Sequence, residues 1–236
     1  MRLHTAFGAL TLAAAALTLS ACEINGEGPV LLPDDLSGET ITQVRDLDGF
    51  TAISMGGSAD LVVTEGESFE IEVTTDTNLQ EHVTTAVEGN TLRIQQRYSI
   101  IGASPNVSVA VTVPDLTRLE LSGAADVRVR SVMADSLDVE ISGAGNVDLA
   151  ADAQHLTISV SGAGVVTAHG TVGSGSIDVS GAGGVVGEDL TIADADVSVS
   201  GAGSVSVRVR EALDASVSGA GSVVYFGDPT VTQDIS

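Results

Sequence analysis

From residue 116 onward, apolar and polar side chains alternate in short runs, and one phrase interrupts the runs at nearly fixed intervals: Ser-Gly-Ala followed by Gly or Ala. The phrase begins at Ser122, Ser142, Ser161, Ser180, Ser200 and Ser218, a period of roughly 20 residues that falls in the solenoid range. One residue before the serine stand Leu121, Ile141, Val160, Val179, Val199 and Val217, and two further back stand Leu119, Val139, Ile158, Ile177, Val197 and Ala215. Five residues after it every copy has valine, at 127, 147, 166, 185, 205 and 223. Period-2 alternation rich in β-branched residues on both sides of the phrase predicts two short strands per unit, with no helical period competing. A unit of this length cannot bury a core alone, so the units must stack. The predicted fold is all-β: a single-stranded parallel β-helix with six regular coils, right-handed by the general crossover preference.

Inside this frame the phrase reads as a corner. Its glycines suggest backbone angles that a side chain would forbid. The alanine, present at 124, 144, 163, 182, 202 and 220, is expected in a crowded interior corner, and the serines are expected to form an outward hydroxyl ladder. Residues 41–115 lack the phrase but still alternate, with turn signals at Glu65-Gly66-Glu67, Asp76-Thr77-Asn78 and Glu88-Gly89-Asn90. Gly57-Ser58-Ala59-Asp60-Leu61 faintly echoes Gly123-Ala124-Ala125-Asp126-Val127. This half therefore holds less regular first coils or a sheet that caps one end of the stack. The predicted organisation is a signal at 1–21, a tether at 22–40, coils or cap at 41–115, the repeat helix at 116–230 and a tail at 231–236.

The N-terminus changes the picture from a fold to an address. Arg2, the apolar run Ala6 to Leu19 and the sequence Leu19-Ser20-Ala21-Cys22 match a bacterial secretory signal ending in a lipidation box. Cys22 is the only cysteine, so it forms no disulfide within the chain, and lipid attachment is its expected role. Glu23 after it leans toward the outer membrane, and the Gly- and Pro-containing stretch that follows reads as a tether. The expected partner of this segment is a membrane, held through the anchor rather than spanned.

Composition narrows the function classes. The 236 residues carry 32 acidic and 9 basic groups, a formal charge of -23, and every basic residue is arginine. Such a surface repels nucleic acid. Aromatic residues make up only 3%, which suits a β-solenoid and leaves few sugar platforms.

Phe50-Thr51-Ala52-Ile53, Ser58-Ala59-Asp60-Leu61, Val113-Pro114-Asp115-Leu116 leading into Leu121-Ser122-Gly123-Ala124, and the closing Tyr225-Phe226-Gly227-Asp228-Pro229 carry a family resemblance. Over about 45–230 the chain resembles the head GIN domain proteins, the auto-transporter adhesin heads of bacteria. The resemblance implies a β-helical, envelope-attached, adhesin-like domain, and it brings no catalytic residues with it.

Candidate chemistry is sparse. Arg128 with Arg130 and Arg208 with Arg210 are two Arg-x-Arg pairs expected on one outward face. They could grip an acidic glycan, or pair with acids of neighbouring coils. Alternation turns Tyr225 inward and leaves Phe226 as the exposed ring. Gly143 to Asp148 superficially matches calcium-binding β-roll repeats, but the Asp148 position holds Arg128, Thr167, Val186, Ser206 and Val224 in the other copies, so no ligand column forms. Asp194, Asp196 and Asp214 could bind cations loosely. His82, His155 and His169 show no sequence pairing with a nucleophile. No cofactor is expected. The favoured function is a non-enzymatic, lipid-anchored β-solenoid of the cell envelope acting as an adhesin-like or structural binding surface, with a glycan or an envelope or surface protein as candidate partner. The alternative is a polysaccharide-processing, lyase-like enzyme on the same scaffold.

Overall fold

The structure, a computed structural model, describes residues 30–31, 36–100 and 106–236; Cys22 and the signal lie outside the described residues. The strands of the N-terminal half are β1 (Val30–Leu31), β2 (Thr40–Val44), β3 (Ala52–Gly56), β4 (Asp60–Glu65), β5 (Glu70–Asp76), β6 (Val83–Glu88), β7 (Thr91–Gln96), β8 (Ser99–Ile100), β9 (Ser108–Val113) and β10 (Arg118–Leu121). A 3₁₀ turn over Thr77–His82 joins β5 to β6. The repeat half contains β11 (Asp126–Ile141), β12 (Asn146–Val160), β13 (Val165–Val179), β14 (Gly184–Val199), β15 (Ser204–Val217), β16 (Ser222–Phe226) and β17 (Thr230–Ile235).

The parallel stack follows from the sequence columns. Val109, Leu61, Val127, Val147, Val166, Val185, Val205 and Val223 lie in register on one side of the solenoid. All but the last are buried. On the side before the phrase, Ile94, Met55, Leu121, Ile141, Val160, Val179, Val199, Val217 and Ile235 form a second column. Each full coil carries a third side. Alternation slips at Arg130-Ser131 and again at Asp135-Ser136, where two neighbours are both exposed, so β11 is one strand folded over three sides. Ser131 takes a positive φ of 48° at the first of these bends. We call the sides first, second and third in chain order after the phrase.

The corner residues differ from the sequence reading in three respects. The alanine is exposed in all six copies, and the residue after it, Ala125 or Gly145, Gly164, Gly183 and Gly203, is the buried one. Strict alternation counted back from the valine gives this phase. The glycine after the serine is required by proximity rather than by backbone angle. A Cβ on Gly143 would overlap the carbonyl of Gly123, and one on Gly162 the carbonyl of Gly143. Of the glycines in the phrase only Gly219 has a left-handed φ, at 113°. Two of the serine hydroxyls bond down the stack and not to one another: Ser122 Oγ donates to the Met55 carbonyl at 3.3 Å and Ser161 Oγ to the Ile141 carbonyl at 3.5 Å.

The N-terminal half contains both coils and a cap. β3 and β4 form a coil whose corner, Gly56-Gly57-Ser58-Ala59, lies beneath the first phrase; Ala124 N donates to the Gly57 carbonyl at 2.8 Å. The faint echo is thus an additional corner of the same stack. β7 and β9 form the next coil down, parallel to β3 and β4 respectively. Antiparallel strands then close the end: β6 on β7, β5 on β9, and β2 on β5. The 3₁₀ turn brings Leu79 to complete burial, and Phe50 packs against Phe69 with ring centroids 4.9 Å apart.

Two outer segments are more ordered than expected from composition. Val30–Leu31, inside the stretch read as a tether, pairs with β8, and Ser37 and Gly38 donate to Asp76 Oδ1 at 3.1 and 2.9 Å. The stretch read as a tail supplies most of β17, which lies parallel to β15.

Candidate functional site

The second side exists only in the regular coils, and that gives the described part of the molecule an elongated groove. Below it the chain turns back from β4 into β5, which pairs with the far edge of β9, and the link Pro114-Asp115-Leu116-Thr117 runs directly from β9 to β10. Above it Gly227-Asp228-Pro229 shortens the last coil. Between these limits Met133, Asp152 and Thr171 stack in register, and beside them Ala134, Ala153 and Val172. Gly173 presents no side chain outward, which deepens the middle of the trough. The groove encloses about 650 Å³ and runs along the solenoid axis, with Asp115 at one end and Arg210 at the other.

Its polar groups are carboxylates of Asp115, Asp135 and Asp152, the amide of Gln154, the hydroxyl of Thr171 and the guanidinium of Arg210. Asp152 Oδ1 accepts the Thr171 amide at 2.8 Å, which fixes that carboxylate on the floor. Met133 is 74% exposed, the most accessible large apolar side chain on this side, and its amide donates to Glu65 Oε2 at 2.7 Å. Carboxylates and an amide accept and donate to hydroxyls, and the Met, Ala and Val atoms offer an apolar strip for the carbon face of a ring. Three acids against one arginine favour a neutral or amino-bearing ligand over an acidic one.

The predicted arginine pairs do not form one patch. Arg128 lies on the first side beside Val62 and Asp148, and Arg130 stands at its end beside Thr64. Arg208 and Arg210 belong to β15, four coils away, roughly 19 Å along the axis at about 4.8 Å per coil. Among the described residues Arg128, Arg130 and Arg210 form no ion pair, so the expected pairing with neighbouring acids is absent as well. The cleft that would have favoured a lyase, with Arg128 and Arg130 among carboxylates, is not present; Arg210 alone reaches the groove.

Arg208 is committed elsewhere. Its Nε donates to the Glu188 carbonyl at 2.9 Å and its guanidinium carbon lies 5.6 Å from the Phe226 ring centroid. Phe226 is half-buried under it, and Tyr225 is the exposed ring, at 45%. Tyr225 does point inward with Val223, but no described coil lies above it.

Two histidines have partners that the sequence did not reveal. His155 Nδ1 and Ser174 Oγ are 2.7 Å apart across neighbouring coils. This is a base beside a hydroxyl, but Asp194 stacks beyond Ser174 instead of behind the imidazole, so the orienting third group of a triad is missing. His169 Nε2 lies 3.2 Å from Asp148 Oδ1, and its Nδ1 3.8 Å from Asp189 Oδ2. Asp196 and Asp214 are in register, with Asp194 one outward position away. Among the described residues no three His, Cys, Asp or Glu side chains converge closely enough to hold a metal, these included.

A charge cluster unnoticed in the sequence joins the first coils. Arg118 Nη1 donates to Asp138 Oδ2 at 2.7 Å, and its Nη2 to Glu140 Oε2 at 2.7 Å and Glu120 Oε1 at 3.0 Å. Partial burial works against the charged guanidinium, but Asp138, Glu120 and Glu140 outweigh it and raise its pKa above the ordinary arginine value. Its signal was available, because Arg118 and Asp138 stand one repeat apart in the sequence.

The profile of a family described as "Putative auto-transporter adhesin, head GIN domain" matches residues 49–229. The chain belongs to this family. The head GIN fold recurs in solved structures. A crystal structure of a putative adhesin from Bacteroides fragilis superposes with a TM-score of 0.80 at 25% identity, covering 87% of this chain and 94% of that one. A putative lipid binding protein from Parabacteroides distasonis gives 0.72 at 22% identity, with 87% and 96% covered. A putative adhesin from Parabacteroides merdae gives 0.64 at 19% identity, with 87% and 95% covered. No curated protein matches the chain. Among the described residues no helix is long and apolar enough to cross a membrane.

Proposed function

We propose that this head GIN domain protein is a non-enzymatic, adhesin-like binder carried on the bacterial envelope by a lipid on Cys22, and that it grips neutral or amino-bearing glycan chains in the groove of its second side. The groove itself carries this reading: about 650 Å³, elongated along a rigid ladder, with hydroxyl-seeking groups converging over an apolar strip. Sites of this size, with few well-placed polar groups over apolar lining, are the usual setting for small-ligand recognition. The family membership supports the adhesin-like role, and Leu19-Ser20-Ala21-Cys22 supports the anchor.

The test uses envelope polysaccharides immobilised by charge class. The chain is expected to retain neutral and amino-bearing polymers, and Asp135→Ala with Arg210→Ala to lower retention about tenfold, roughly 1.4 kcal/mol. Preference for acidic polymers, unchanged retention in the double variant, or turnover of any polymer would overturn the reading. Cys22→Ser is expected to move the protein from the membrane fraction to the soluble one; an acylated, membrane-bound variant would defeat the anchor.

A further inference from the structure

The two ends of the solenoid are finished differently. At the N-terminal end antiparallel strands and the 3₁₀ turn close over the core, with Leu79 fully buried. At the other end the last coil, Ser218 to Ser236, lies on β15 with its opposite edge uncovered: among the described residues β16 and β17 pair with β15 alone. The inward side chains of this coil are Val223, Tyr225, Val231, Gln233 and Ile235. Tyr225 is 45% and Ile235 68% exposed, whereas one coil below the same columns hold a buried Val207 and a half-buried Val217. They surround a hollow of about 230 Å³ floored by Leu213 and Ala215.

We infer that this end is the face of a two-fold symmetric pair, occupied by the same end of a second copy of the chain. Whatever covers the hollow must also offer backbone edges to β16 and β17 at once, at the spacing of this cross-section; a coil of the same section does. Rotation about a two-fold axis across the solenoid reverses the direction in which the partner coil circulates, so facing strands run antiparallel, the arrangement with favourable ladder geometry. Stacking end to tail is blocked by the closed cap, so association stops at two.

Charge does not oppose a contact at this face. Two bodies of charge -23 repel strongly, yet from Ser218 to Ser236 the only charged side chains are those of Asp228 and Asp234. Size agrees too: a whole coil laid against its twin engages close to the roughly 20 residues per side of an ordinary stable interface. An uncovered flat edge with apolar side chains is otherwise an aggregation site, which a closed pair removes.

The experiment is sedimentation equilibrium of the full chain in density-matched detergent. Two chains per particle are expected, with association tightening several-fold as NaCl rises from about 0.05 to 0.5 M, because screening relieves the repulsion. Ile235→Asp and Gln233→Lys are each expected to give single chains with an unchanged circular dichroism spectrum. Val186→Asp, at a 43% exposed position on the flank, is expected to leave the pair intact. If Ile235→Asp does not fold, Gln233→Lys carries the test alone, since position 233 is exposed and polar. A single chain up to about 100 µM, a pair that survives Gln233→Lys, loss caused by Val186→Asp, or open-ended oligomers would overturn the proposal.

Discussion

In the repeat half each strand lies on the one made a single repeat earlier; in the N-terminal half β10 lies on β3, with Arg118 over Ala52, because the β7 and β9 coil has been inserted beneath in the meantime. Both halves nevertheless use the same columns: Leu61 and Val109 continue the valine stack, and Met55 and Ile94 continue the stack on the third side. Equal spacing in sequence is therefore one way to make a solenoid and not a condition for one. What the columns demand is an inward apolar residue at the right phase, whichever segment brings it. Closing a loop about three times as long costs about 1 kcal/mol more in chain entropy, a small sum against the side chains buried.

This equivalence can be broken most severely in the shared core. Val147→Asp places an unpaired carboxylate in the stack and is expected to cost about 4 kcal/mol or more and unfold the molecule; Leu61→Asp, in the same column but in the irregular half, is expected to do the same. Thermal melts check both, and a Leu61→Asp protein that retains a cooperative native melt would separate the halves. Gly162→Ala comes next. Its Cβ would overlap the Gly143 carbonyl, and about 2–3 kcal/mol of overpacking is expected by urea titration. Gly89→Ala, at φ 65° in the hairpin of the cap with nothing within 4 Å, is expected to cost only about 1 kcal/mol. Equal losses would show that corner glycines serve backbone angle after all. The smallest effect is at the junction: Arg118→Met removes the charge tie between β10 and β11 and is expected to cost about 0.5 kcal/mol, less at high salt.

Periodicity made the columns legible, since Val127 and its five equivalents state the inward phase six times. The phase was lost at the corner, where the alanine was read as interior although counting back by twos from Val147 reaches Gly145. The coil order of the N-terminal half was not legible, because nothing in Thr91 to Gln96 says that it belongs beneath Ala52 to Gly56. The groove escaped notice for a related reason: Asp115, Asp135, Asp152 and Arg210 come from four different turns, and their convergence depends on how the second side begins and ends. Tyr225 was given the correct direction and the wrong exposure, since direction is a property of a strand and exposure a property of the coil above it.

The passage of β10 over β3 also sets an order of assembly. Coils of the repeat half need only the repeat just before them, so they can zip together locally and early, as low contact order favours. The β3 and β4 coil must wait with both faces bare until β7 and β9 slide under it and β10 settles on top. A chain emerging N-terminus first therefore presents its least self-sufficient part before the part that can shelter it, and the interval until Leu121 appears is when its bare strand edges are most open to wrong pairing.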